Sequence, residues 1–259
     1  YLICQDPCDI EALALAIRTT SAFYTPVLKA ENSKYSIVSG RNQVLAMLHN
    51  KQSKVGSLVM PDDSTALDAT MRAVQAVAFS RELSQSELMR AVVRLCRFMS
   101  PHDIAAQSKT IFANHYQSRY IDQVAAISGL PEPAVQLMDR GALSFKTALR
   151  LLATTSAESA ALLEIFSYFR LSSSNQIKLV EYLKETAARE HMGTEALIDK
   201  LGLESLGKDT TLAPRDKNVK LMEILHQARF PVLTETRNRV KQAILRLNLD
   251  PKIRITVSE

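Results

Sequence analysis

Tryptophan is absent, and glycine (seven) and cysteine (three) are scarce among the 259 residues. So little glycine, set against abundant Ala, Leu, Ser, Gln, Glu and Lys, argues for helix over sheet by intrinsic propensity. Cys4, Cys8 and Cys96 are odd in number and form no CxxC pair with a nearby His, which excludes a zinc-finger reading and predicts free or buried thiols in a reducing, cytoplasmic setting. No apolar run reaches the roughly 20 residues of a membrane span, and no signal-peptide pattern opens the chain. Because the chain starts at Tyr1 rather than Met, further residues are expected ahead of it.

Hydrophobic residues make up 46% of the chain, ample for a buried core and too many for a disordered protein. The net charge is +5, and its distribution matters more than its size. From Arg215 to Glu259 there are ten Lys or Arg against five Asp or Glu, an excess equal to that of the whole chain, so residues 1 to 214 are balanced.

The apolar spacing predicts a helix over Asp9 to Thr19 with Asp9 as its N-cap, then a hairpin of Tyr24 to Lys29 and Lys34 to Ser39 across the turn Ala30 to Ser33. Gly40 ends the second strand, a helix runs to His49, and Lys54 to Met60 is extended. Tyr1 to Cys4 and Lys252 to Val257 suit short strands. After Pro61 the pattern turns helical: Leu67 to Phe79 capped by Ser64, Glu87 to Phe98 capped by Ser84, Glu158 to Phe169, and Asn175 to His191. Gly193, Gly202 and Gly207 predict a loosened linker toward Pro214, followed by helices over Arg215 to Phe230 and Thr234 to Leu247. The expected fold is α+β but mostly α, in three segments: a small α/β domain over 1–62, a helical domain over 63–205, and a basic C-terminal segment over 206–259.

Functional residues are expected between Met99 and Leu152, where helix starts at Ser100-Pro101, near Gln117-Ser118 and at Ser144 bring polar and basic side chains into an otherwise apolar body. This is the pattern of a helix-turn-helix, whose second helix meets base edges with its first turns. Gln117, Ser118, Arg119, Tyr120 and Gln123 are its candidates: Ser118 and Tyr120 for phosphate, Arg119 for guanine or phosphate, Gln123 for an adenine edge. Lys109 on the preceding helix and Lys146 after Ser144 are candidate backbone anchors. The five histidines are scattered and Asp62-Asp63 falls in a connecting loop, so no catalytic or metal-binding residue is assigned.

A family resemblance rests on ordered segments. Asp9-Ile-Glu-Ala-Leu-Ala-Leu-Ala-Ile-Arg18, Tyr24-Thr-Pro-Val-Leu28 and Tyr35-Ser-Ile-Val-Ser-Gly40 resemble the N-terminal domain of the ParB family. Phe79-Ser-Arg-Glu-Leu-Ser-Gln-Ser-Glu87 is similar to that family's Arg before an LxxxE helix. Leu130-Pro-Glu-Pro-Ala-Val-Gln-Leu-Met-Asp-Arg-Gly-Ala-Leu-Ser144 with Ala148-Leu-Arg-Leu-Leu152 is similar to its LPxxVxxLxxxGxLSxxxAxxLL, the most specific match, and the whole resemblance spans Leu2 to Leu152. It implies a cytoplasmic, homodimeric protein that binds double-stranded DNA in plasmid or chromosome partition or in transcription control, without a membrane partner. The basic tail is then a dimer element or a second DNA contact.

Some ParB proteins bind and hydrolyse CTP through a glycine-arginine motif, which implies a nucleotide site at Gly40 and Arg41. Here the motif is reduced to Gly40-Arg41-Asn42-Gln43, with one arginine where the family has several, so the expectation is no cofactor and no enzyme activity. The alternatives are a non-catalytic protein-interaction module with a lost nucleotide pocket and a CTP-hydrolysing DNA clamp. The turn between Ile111 and Ser118 is several residues longer than the family's, which predicts a loosened angle between the two helices.

Overall fold

A computed structural model describes residues 9–20, 24–31 and 33–246. The strands expected at Tyr1 to Cys4 and Lys252 to Val257 lie outside the described residues. The chain forms two compact units, 1–139 and 140–259.

In the first unit, α1 (Ile10–Thr20) starts where Asp9 Oδ1 accepts the Ala12 N–H at 2.9 Å. Strands β1 (Val27–Glu31) and β2 (Lys34–Ser39) form the antiparallel hairpin, with Val27 opposite Ser39 and Glu31 opposite Lys34. α2 (Arg41–His49) follows directly on Gly40, and β3 (Leu58–Val59) pairs parallel with β1, giving the sheet order β2-β1-β3. α1 and α2 pack together through Ala14, Ile17, Ala46 and Met47.

α3 (Ala66–Ala78) lays Ala69 and Ala73 on Val27 and Val38 of the sheet. Its cap is Thr65, one residue beyond the expected Ser64, because Asp68 three residues later can return the hydrogen bond and complete a capping box. α4 (Gln85–Leu95) is capped by Ser84 and Glu87 as expected and ends at Leu95, short of Phe98. α5 (Pro101–Ala106), α6 (Ser108–Phe112), α7 (Ser118–Ala126), a 3-10 turn (Ile127–Gly129) and α8 (Glu132–Asp139) complete the unit. α4 sits at the centre of these, in contact with α3, α7 and α8, and buries Leu88, Ala91, Val92 and Leu95.

Among the described residues the regular elements of the second unit are all helices: α9 (Phe145–Leu151), α10 (Ser156–Tyr168), α11 (Ser173–Arg189), α12 (Thr194–Lys200), α13 (Leu203–Lys208), α14 (Pro214–Arg229) and α15 (Pro231–Arg246). Phe166, Phe169, Leu179 and Leu183 lie in its core. The linker expected from Gly193 to Pro214 is instead α12 and α13, with Leu197, Ile198 and Leu203 buried. Gly193 and Gly202 are the N-caps of these helices, Gly202 at φ 63°, and a Cβ on Gly207 would lie 2.7 Å from Tyr168, so the glycines serve caps, a left-handed backbone and one close approach rather than looseness. α15 begins at Pro231, not Thr234, since proline is well placed at a first helical position, and no described side chain of it is buried.

Candidate nucleic-acid interface

The segment expected to be a helix-turn-helix folds as α5, α6 and α7, with α7 packed across α5 and α4. Ser100 caps α5: its Oγ accepts the Asp103 N–H at 3.2 Å, and its hydroxyl donates to Asp103 at 2.6 Å, which holds that carboxyl below its usual range. Gln107 closes α5 and opens α6, and Ala113, left-handed at φ 56°, ends α6.

The long turn from Ala113 to Gln117 is anchored by a hydrogen bond and by ring contacts. Ser108 is fully buried, and its hydroxyl accepts the Tyr116 N–H at 3.0 Å across the turn. The Tyr116 ring meets Phe112 edge-on at 5.6 Å and stacks on Tyr120 at 5.2 Å, so three aromatics join the end of α6 to the first turn of α7. Burial, and then the neighbouring Tyr120, pushes the Tyr116 phenol up. Tyr116 precedes α7, so its stack on Tyr120 follows from how the turn folds rather than from a run of helix.

Gln117 takes the N-cap of α7 without a side-chain bond, and Ser118 is the first helical residue rather than the cap. The positive end of the helix therefore carries N–H groups without a side-chain cap. Ile121 and Val124 turn inward. That leaves Gln117 and Arg119 exposed and Ser118, Tyr120 and Gln123 half-buried, all on the first two turns. Tyr120 is committed to the stack, and Arg119 makes no hydrogen bond or ion pair among the described residues. Asp122, exposed one turn after Arg119, places an acid on the same surface and was missed by the sequence reading. Lys109 is exposed on α6. Lys146 is exposed on α9 and belongs to the second unit, so the packing of the first does not gather it with the others.

Gly40 and Arg41 border a cleft of about 560 Å³ that also takes in Asn42, Ser39, Ser80 and Arg72. Gly40 has φ 83°, and a Cβ there would lie 2.8 Å from the Pro26 Cα, so both backbone and space demand glycine. α2 starts at this cleft with no side-chain cap. Arg41 and Arg72 are exposed and unpaired among the described residues. Arg72 supplies a second cation that no local pattern announced, because it arrives from α3, 31 residues along the chain from Arg41.

In the second unit, Arg237 and Lys241 of α15 join Arg215 of α14 along a cleft of about 640 Å³, while Arg239 is paired with Glu235 at 2.5 Å. Among the described residues no group of three or more His, Cys, Asp or Glu could hold a metal ion, and no helix is long and apolar enough to cross a membrane. No protein-family model matches the chain, and comparison with curated proteins found no match.

Proposed function

We propose that the protein binds double-stranded DNA in the manner of the ParB family, with α7 as its reading helix, in partition or transcription control. The observation that carries this reading is the start of α7: an uncapped helix N-terminus bearing Gln117 and the unpaired Arg119, fixed by the Phe112, Tyr116 and Tyr120 rings. A reading helix must hold a few polar side chains at a set angle to the groove, and a rigid entry turn serves that need. Arg119 is suited to the O6 and N7 of a guanine and Gln123 to the N6 and N7 of an adenine, each such pair discriminating by about 1–3 kcal/mol.

Selection of bound duplexes from a randomised pool tests the assignment. The wild type is expected to enrich one motif. Arg119→Ala is expected to lose preference at one base position and to bind that motif about tenfold or more weakly, with non-specific affinity little changed. Equal motifs from the two proteins would remove α7 as the reader.

One observation favours a second reading, nucleotide binding in the cleft at Gly40. Arg72 restores a second guanidinium to a site where the sequence had only Arg41, at a helix start and beside a glycine that lets the backbone approach an anion. That reading stands or falls on a calorimetric titration with CTP.

A further inference from the structure

α4 carries a basic feature that the proposed reading by α7 does not use. Arg90 and Arg94 lie one helical turn apart, half-buried, on the side of α4 away from Leu88, Ala91, Val92 and Leu95 and flanked by the buried Ser86 and Glu87. Arg97 sits in the turn that closes the helix, its N–H donating to the Arg94 carbonyl at 3.2 Å. Arg90 donates from Nη2 to the Ser86 hydroxyl at 2.8 Å. Arg94 is half-buried, and its Nη1 is shut off from solvent without a hydrogen-bond partner. Neither Arg94 nor Arg97 forms a hydrogen bond or ion pair through its side chain among the described residues.

This arrangement opposes folding. Burial lowers the proton affinity of Arg94, and the charges of Arg97 and Arg90 lower it further. A guanidinium keeps its proton regardless, so the cost of desolvation and like-charge repulsion remains in the folded chain. An anion laid along the stripe would offset both.

The geometry of the stripe suits one kind of anion. Seven residues of helix advance about 10 Å. That length lets long side chains reach more than one phosphate of a strand, and a row of planar forks fits successive phosphates better than one compact ligand. Its position suits the same partner, since α4 packs directly against α7. Helices beside a reading helix commonly lie against the DNA backbone.

We infer that Arg94 and Arg97, together with Arg90, form a phosphate-backbone contact for the duplex whose bases α7 reads. This rests on the DNA-binding reading above. It adds residues that act on register and affinity rather than on sequence.

The test is fluorescence anisotropy of the full chain on a labelled duplex between about 50 and 200 mM salt, with thermal melts alongside. Relative to wild type, the double variant Arg94→Met with Arg97→Met is expected to flatten the slope of log affinity against log salt by roughly 1.8, about 0.9 for each lost phosphate contact, on every sequence tried. Arg94→Met alone is expected to melt at or above the wild-type temperature, since it removes an unpaired charge. The pair Arg94→Lys with Arg97→Lys is expected to keep the slope and lose affinity, because the charges remain and the forks do not. Wild-type binding with an unchanged slope in the double Met variant would overturn the stripe and leave α7 standing. Absence of wild-type binding at the lowest salt would overturn both. A lowered melting temperature in Arg94→Met with its salt slope intact would make the arginine structural.

Discussion

Arg81→Met should destabilise the first unit by about 3 kcal/mol, the lower end of the roughly 3–5 kcal/mol seen when one partner leaves a buried ion pair. The Glu87 side chain is 1% exposed, and Arg81 reaches it through two bonds of 2.8 Å, Nη1 to Oε2 and Nη2 to Oε1. Glu87 Oε2 also accepts the Ser84 N–H at 2.9 Å, which makes the same carboxylate one half of the α4 capping box. Removing the guanidinium leaves a carboxylate in the interior short of its counter-charge, while Arg81, 40% exposed, gains little from its return to water. Glu87→Gln should cost less, since it keeps an acceptor for Ser84. Urea unfolding followed by circular dichroism measures both, and a loss under about 0.5 kcal/mol in Arg81→Met would show that the pair contributes nothing beyond a surface bridge.

Gln176→Leu should have a comparable effect in the second unit. The Gln176 amide is 1% exposed and makes three bonds: Oε1 accepts the Ser144 N–H at 2.8 Å, and Nε2 donates to the carbonyls of Ala142 at 3.0 Å and Leu171 at 2.9 Å. Leucine has nearly the same volume, so the change leaves packing alone and strands three backbone groups. At about 1 kcal/mol for each, the loss is about 3 kcal/mol. The local signature is as telling as the size. Amide hydrogen exchange at Ser144 should accelerate well beyond the global change, because its N–H loses its partner, and unaltered protection there would contradict the bond network.

These two sites show what was legible in the chain. The Ser84 and Glu87 box, the Ser100-Pro101 start and the Asp9 cap could all be read from sequence, because each is made by residues within three positions of one another. Arg81 stood in a recognisable segment, but its closure on a buried Glu87 depended on how α4 packs. Gln176 looked like any polar residue of an amphipathic helix, since its partners lie up to 34 residues away. Gly193 to Pro214 was misjudged for the same reason: glycine reads locally as a break, and only the packing of Tyr168 on Gly207 shows why a small residue is needed there. For the candidate interface, the polar start of α7 was visible in advance. The aromatic clamp on its long turn, the acid at Asp122 and the placing of Arg41 and Arg72 on one cleft emerged only from three-dimensional placement.

The stability of α4 and the proposed role of α7 are linked through packing. α4 holds α7 by direct contact, so a variant that loosens α4 should weaken DNA binding only to the extent that the unit unfolds. Arg119→Ala, on an exposed side chain, should alter recognition with the melting temperature unchanged.

We propose that duplex DNA is bound through the unit that carries α7. The affinity of the wild-type chain for a labelled duplex as salt is raised from about 50 to about 200 mM tests this. Binding that weakens by about a factor of ten or more over that range, with log affinity linear in log salt, is the predicted result. No binding at the lowest salt would contradict it.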